Sequence, residues 1–262
     1  MRSDASIPLG TMTNKDITMF GLSFDSLSME KSLEIIIERI TRGEFTQHAV
    51  INVAKLVNAQ KDELLKESIN ACDITNVDGM GVVWGARLMG IDVPERVAGI
   101  DLFLRLIGLS EAKEFPVFLL GAREEIVKKA AEALMVRHPK LNIAGYHHGY
   151  FWDDEQKIVG QINKSGAKLL FVAITSPKKE YFINEWRGQL GIDFVMGVGG
   201  TFDVVAGKVS RAPVWVQNVS MEWLYRVLQE PKRMWKRYLI TNSKFLWMLL
   251  RGFFSKAYRE NG

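Results

Sequence analysis

FPVFLLG (115–121), REEIVKKAAEALMVRHP (123–139), LNIAGYHHGYF (141–151), DDEQKIVGQINKSG (153–166), AKLLFVAI (167–174), IDFVMGVGG (192–200) and TFDVVAG (201–207) decide the fold. FPVFLLG is a short apolar run of strand length, and AKLLFVAI is the most apolar strand of all. Between them lies an amphipathic helical pattern that Pro139 ends. A second helix follows, with Asp153 or Asp154 as its cap. Ser176 with Pro177 predicts another helix start, a capping hydroxyl with proline in the first turn. Short buried strands alternating with helices predict a parallel sheet flanked by helices. The class is α/β.

Upstream, ITMFGLSFDSLS reads as strand, turn and strand. MEKSLEIIIERITRG reads as a helix with Leu33, Ile36, Ile37 and Ile40 on one face and Gly43 as its stop. HAVINVAKLV begins as a strand and passes into a helix carrying Leu56, Leu64 and Leu65. No internal repeat or low-complexity segment interrupts the pattern.

Parallel sheets bind ligands beyond the carboxyl ends of their strands. That rule selects Gly121, the loop from Tyr146 to Tyr150, Thr175–Lys179 and the turn Gly197–Asp203 with Gly199 and Gly200. Free N–H groups at helix starts there suit a diphosphate. GVGG is not the six-residue dinucleotide fingerprint, and no GxxxxGK[ST] occurs, so tight turns explain these glycines equally well.

The densest polar cluster is DITNVDGMGVVWGARLMGIDVPERVAGIDL (73–102). Asp78 precedes Gly79-Met80-Gly81 and is a candidate general base, since a carboxylate in a partly desolvated cleft accepts a proton from an attacking hydroxyl. It reads equally as an N-cap of the helix GMGVVWGARL, and Asp73 as a cap or turn residue. Arg96 is a candidate bidentate clamp for phosphate or carboxylate, unless it pairs with Glu95 or another surface acid. His48, His138, His147 and His148 are the only histidines, and adjacent histidines diverge too much to suggest a zinc site. The chain has no Asp-x-Asp pair to hold a metal on a nucleotide diphosphate, so arginines and helix ends would have to neutralise one.

With 262 residues, 47% hydrophobic and 24% charged, the chain can bury a core. A lone cysteine, Cys72, forms no intramolecular disulfide and fits a reducing cytoplasm. The first 20 residues lack the basic start and apolar core of a secretory leader, and no apolar run is long enough to span a membrane. The net charge of +4 is uneven. Positions 219–262 hold nine basic residues and three acids, a surplus of six, which leaves the rest at −2. In KRMWKRYLI, Lys232, Arg233, Lys236 and Arg237 share one helical face, with Met234, Trp235 and Tyr238 largely opposite. A basic amphipathic stretch with Trp and Phe reads as membrane-surface binding, against a terminal helix packed on the core or on a partner subunit. Nucleic acid is disfavoured by the acidic main body.

NVDGMGVVWGARLMG, PERVAGIDL, VFLLGA, HPKLNIAGYHHGYF, TSPKKE, GVGGTFDVVAGKVSRAP and MEWLYRVLQEPKRMWKRY, taken together, resemble the WecG/TagA/CpsF glycosyltransferases of bacterial cell-envelope polysaccharide synthesis. The resemblance implies a Rossmann-like core (1–218) with a helical, basic, membrane-associating appendage (219–262). It implies an inverting transfer from a UDP-sugar that needs no metal or cofactor. The sugar it implies is of N-acetylmannosamine type or the corresponding uronic acid. The acceptor would be an undecaprenyl-diphosphate-linked N-acetylglucosamine at the cytoplasmic face of the membrane, on which the protein would sit peripherally. By position, Asp78 matches the base, Arg96 the pocket arginine and Asn52 the asparagine after the early strand. Arg226, Arg233 and Lys236, beside Arg237, match appendage cations that meet a lipid diphosphate. Gly121, Tyr146, Gly199, Gly200 and Asp203 would face the nucleotide, and self-association of the core is implied as well.

Two departures bear on the sugar. Val50-Ile51-Asn52 stands where teichoic-acid members read Thr-Pro-Asn, and Lys179 replaces a glutamine in Pro-Lys-Gln-Glu. A rival reading is a non-catalytic sugar-nucleotide-binding or membrane-tethering module of an export assembly. An NAD-linked oxidoreductase lacks its fingerprint.

Overall fold

The computed structural model describes residue 15 and residues 17–218, 221–229 and 231–260; the side chains of 218, 232–234, 237 and 253–260 lie outside that description. The chain opens with a hairpin, β1 (Ile17–Met19) and β2 (Leu22–Phe24), paired antiparallel. Helix α1 (Met29–Thr41) follows, its first turn closed by the Ser28 side chain accepting from Lys31 N–H. Next come β3 (Thr46–Ile51), α2 (Val53–Asn58), α3 (Glu63–Asn70), β4 (Ile74–Val77), α4 (Met80–Leu88) and α5 (Gly99–Ala112). The alternating stretch supplies β5 (Val117–Gly121), α6 (Glu124–Arg137), β6 (Ile143–His147), α7 (Glu155–Lys164), β7 (Leu169–Ala173), α8 (Lys178–Trp186), β8 (Phe194–Gly197) and α9 (Thr201–Val205). Helices α10 (Val214–Asn218), α11 (Glu222–Gln229) and α12 (Pro231–Glu260) complete the order.

Strands β3 to β8 form one six-stranded sheet in the order β4-β3-β8-β7-β5-β6. Every pairing in it is parallel. The alternation of side chains sorts the core into layers. Val117, Leu119, Leu169, Phe171, Phe194 and Met196 face one side, where α1, α5, α6 and α9 cover them. Phe118, Leu120, Leu170, Val172 and Val195 face the other side, under α7 and α8. On that second side, beyond them, Ile51 and Val77 meet the hairpin, α2, α3 and α4. The parallel sheet flanked by helices is what the alternation predicts, and helices on both faces make it the doubly wound, Rossmann-like α/β fold that the resemblance implies.

Two local expectations change and one is narrowed. The helix expected to run through Leu56, Leu64 and Leu65 is two helices, because Asp62 accepts from Leu65 N–H and starts α3 afresh. Leu64 is left half exposed by that break. Of the two acids before α7, Asp154 is the cap, accepting from Lys157 N–H at 3.0 Å. Helix α8 begins at Lys178 with Pro177 as its N-cap residue and no side-chain cap, and the Ser176 hydroxyl is buried without a hydrogen-bond partner instead.

Candidate active site

Because all six strands run parallel, their carboxyl ends share one edge, and the loops holding Asn52, Asp78, Ala122, His148, Ser176 and Gly199 lie along it. At β4 the chain leaves the sheet through Asp78, whose N–H donates to Ile51 O of β3 at 2.7 Å. Gly79 is the N-cap of α4, at φ 125°, a backbone that excludes most side chains, and Asp78 does not cap that helix. The Asp78 carboxylate turns to α5, accepting from Gly99 N–H at 3.2 Å. A Cβ on Gly99 would stand 3.6 Å from Asp78 Oδ2, 3.6 Å from Val50 and 3.7 Å from Met196. The carboxylate therefore sits over the junction of β3 and β8. Burial pushes its pKa up, against the fields of Arg96 and Arg226 and the Gly99 hydrogen bond, while Glu222 adds to the rise. A carboxylate raised in this way is suited to proton transfer.

Arg96 does not pair with Glu95, whose carboxylate accepts from Met29 N–H at the start of α1. Its Nη1 donates to Glu222 Oε2 of α11 at 2.9 Å, with both side chains mostly buried. Arg211 Nε lies 3.6 Å from Glu222 Oε1, and its Nη2 reaches Asp101 Oδ1 at 2.7 Å. Arg226 follows Glu222 by one helical turn, and Arg211, Glu222 and Arg226 line one small cavity with Ile100 and Val209. Beyond Arg211 opens a cleft of about 380 Å³, lined by Ile100, Leu104, Val204, Val209 and Ser210. Asp78 does not line it.

Asn52 caps α2, its side-chain oxygen accepting from Lys55 N–H at 3.0 Å, and its Cβ lies 3.9 Å from where a Cβ on Gly79 would stand. The loop asparagine and the candidate base are thus neighbours. Lys179 is buried, its stem against Gly197 of β8 and its ammonium 2.6 Å from Glu180 Oε1. Lys55 approaches the same oxygen at 2.9 Å and donates to Val50 O at 2.7 Å. Burial alone would push Glu180 up, but the two ammonium groups outweigh it and hold its pKa at about 2. Val50 and Lys179, the two positions that depart from the family pattern, are therefore joined through Lys55 and Glu180.

Gly121 has φ 127°, and a Cβ there would come within 2.5 Å of Ala173 O, so the close packing of β5 on β7 requires glycine. Around Gly199 and Gly200 the space is open. Asp203 lies in the first turn of α9, paired with Lys208 at 2.9 Å. Tyr146 is on the edge strand β6, partly exposed. The rings of His147 and His148 do not diverge; their centroids are 4.2 Å apart. Among the described residues, no three His, Cys, Asp or Glu side chains are grouped to hold a metal ion. His48 is buried on Asn76 with its pKa lowered to about 4, which keeps it neutral.

Helix α12 is seated by Phe245, which is buried in the core cluster of α2 and α4 and meets Phe20 edge-on at 6.3 Å. Its other side presents Trp235, Leu239, Leu246, Trp247 and Leu250 to solvent. Lys236 is exposed, while the side chains of Arg233 and Arg237 lie outside the described residues. Among the described residues, no helix is long and apolar enough to cross a membrane.

Four residues of this edge escaped the sequence reading: Lys55, Glu180, Arg211 and Glu222. Glu222 had a usable signal, since it stands four residues before Arg226 and so shares its helical face. Lys55 and Glu180 had none, because a buried ion trio is assembled from two helices far apart in sequence.

A family model described as "Glycosyl transferase WecG/TagA/CpsF family" matches residues 17–259. The N-acetylglucosaminyldiphosphoundecaprenol N-acetyl-beta-D-mannosaminyltransferase of Bacillus subtilis (strain 168) is 35% identical over 181 residues, which cover 69% of this chain and 70% of that protein. The protein of the same name from Bacillus spizizenii is 35% identical over 171 residues, 65% of this chain and 66% of its own length.

Proposed function

The chain belongs to the WecG/TagA/CpsF family of glycosyl transferases, and we propose that it moves a sugar of N-acetylmannosamine type from a UDP-sugar to a polyprenyl-diphosphate-linked acceptor. The observation that carries this reading is Asp78, a carboxylate with a raised pKa at the sheet's carboxyl edge, within the fields of Arg96 and Arg226. In the proposed reaction Asp78 takes the proton of the acceptor hydroxyl. The freed oxygen bonds to the anomeric carbon from the face opposite UDP. The bond from that carbon to the diphosphate breaks, and UDP leaves with the bonding electrons, so the anomeric configuration inverts.

Arg96, Arg226 and the appendage cations, Arg233, Lys236 and Arg237 among them, meet the diphosphate charge in place of a metal. Asn52 and Lys179 border the sugar, and the turns at Gly121, Tyr146, Gly199, Gly200 and Asp203 border the nucleotide. Residues 1–218 act as the catalytic core and 219–262 as the appendage. The exposed Trp and Leu side chains of α12 beside its cations suit the surface of an anionic membrane, at its cytoplasmic face.

Mass spectrometry of products from a panel of UDP-sugars with a short-chain lipid-diphosphate acceptor tests the reading. One sugar added to the acceptor is expected. Binding of UDP without turnover on any acceptor would favour the non-catalytic module instead. Liposome flotation of the chain cut after Val219 tests the appendage, and continued flotation would remove its membrane role.

A further inference from the structure

Between the core and α11 there is a mostly buried bridge built from one carboxylate and two guanidinium groups. Glu222 sends Oε2 to Arg96 and Oε1 toward Arg211, so both of its oxygens face core cations. The two arginines arrive from different places, Arg96 from the loop before α5 and Arg211 from the segment after α9. Arg211 is itself held by Asp101 in the first turn of α5. Asp101 thus holds the guanidinium by hydrogen bonds, and the Glu222 carboxylate faces its Nε at 3.6 Å as a counter-charge. Arg226 lies one turn along α11, beside the same cavity, and its charge reaches Asp78. Helix α11 has no fully buried side chain to hold it. An amphipathic helix of eight residues is not stable alone in water; α11 leans on α12 through Trp223 and Tyr238, ring centroids 5.8 Å apart, and the ion pairs of Glu222 tie it to the core.

We propose that Glu222 is a positioning residue, an ionic latch that seats α11 on Arg96 and Arg211 and so aims Arg226 at the leaving diphosphate beside Asp78. This assignment rests on the reading of Asp78 as the base of a glycosyl transfer. Glu222 touches no reacting atom in this scheme. Its carboxylate replaces water on two arginines that would otherwise relax, and the geometry of the second cation follows from the first. A displacement of about 1 Å in such a group costs on the order of 100-fold in rate.

Glu222→Gln in the full chain is the test, read by steady-state kinetics and by hydrogen exchange. The expected result is a kcat lower by roughly 10- to 100-fold with the donor KM changed far less, because Arg226 acts on charge that develops in the transition state. Amides of 222–229 should exchange faster while those of β3 and β8 do not change. Glu222→Asp, which keeps the carboxylate, should recover part of the kcat. Arg211→Gln, which opens the latch from the core side, should free the same helix and guards against misfolding of a single variant. Unchanged exchange in α11 would overturn the latch. A faster turnover in Glu222→Gln would overturn it too, since Glu222 would then be a plug competing with substrate. If wild type turns over no donor and α11 is still freed in both variants, the seating of α11 by Glu222 stands, and the transferase reading falls together with the aim of Arg226 at a leaving diphosphate.

Discussion

Two carboxylates stand at the carboxyl edge of the same sheet, and their surroundings drive them in opposite directions. Glu180 has two ammonium groups at 2.6 and 2.9 Å, and its pKa is held at about 2. Asp78 also has two cations in its field, yet its pKa is raised. The difference lies in distance and competition. Asp78 receives one backbone hydrogen bond at 3.2 Å, and Arg96, the first of its cations, spends its own hydrogen bond on Glu222. Glu180 is a buried charge compensated by two cations. Asp78 is left under-compensated, the condition a general base near neutral pH requires.

The sharpest way to break this contrast is to remove each acid in turn. Asp78→Asn should lower kcat by roughly 100- to 10,000-fold, the range for losing a positioned base. Its melting temperature should not fall. A group whose pKa is raised on folding favours the folded state at low pH and loses that contribution as pH rises, so ionised Asp78 is a cost that the amide removes. Turnover within a few fold of wild type would end its role as base. Glu180→Gln should do the reverse, costing about 3 to 5 kcal/mol in urea unfolding, because Lys55 and Lys179 would lose the buried carboxylate charge they share. A loss under about 1 kcal/mol would show that water relaxes the trio.

A slightly smaller effect follows from pH alone. Glu180 falls from an ordinary 4.5 to about 2 on folding, so its stabilisation is complete above the unfolded value and is lost as pH drops through the folded one. Over that interval the wild type should lose about 3 kcal/mol that Glu180→Gln does not. Parallel slopes for the two proteins between pH 5 and about pH 2 would refute the assignment.

The legible and illegible parts of the molecule divide along the same line. Strands β5, β7 and β8 were readable because their signal is local, apolar runs bounded by glycine and proline. The position of Asp78 was readable too, since it follows a strand in an α/β pattern. Its competing reading as the cap of α4 fails because Gly79 takes that place, at a φ that sequence does not display. The break between α2 and α3 depended on Asp62 outcompeting helix continuation, a choice made by one hydrogen bond. The pairings of Glu180 with Lys55, of Arg211 with Asp101 and of Glu222 with Arg96 were hidden because those partners are distant in sequence, 126 residues in the last case. Exposure on α12 was half legible: its basic, aromatic character was plain, but the burial of Phe245 depends on Gly85 leaving room for it, 2.7 Å from where a Cβ would stand.

The smallest effect separates the two acids most finely. The acid limb of kcat/KM reports the free enzyme's base, which must be unprotonated to accept the hydroxyl proton. Were Asp78 an ordinary surface carboxylate, activity would hold down to about the usual aspartate value of 3.8. Burial raises that value here, so the rate should begin to fall at a higher pH, while the Glu180 carboxyl is still ionised and the fold intact. The same profile measured in Glu180→Gln should show the same limb, because the charges that act most on Asp78 are Arg96, Arg226 and Glu222. If the limb lies at or below the ordinary carboxylate range, or moves with Glu180, then the two carboxylates are one electrostatic unit and the contrast between them is lost.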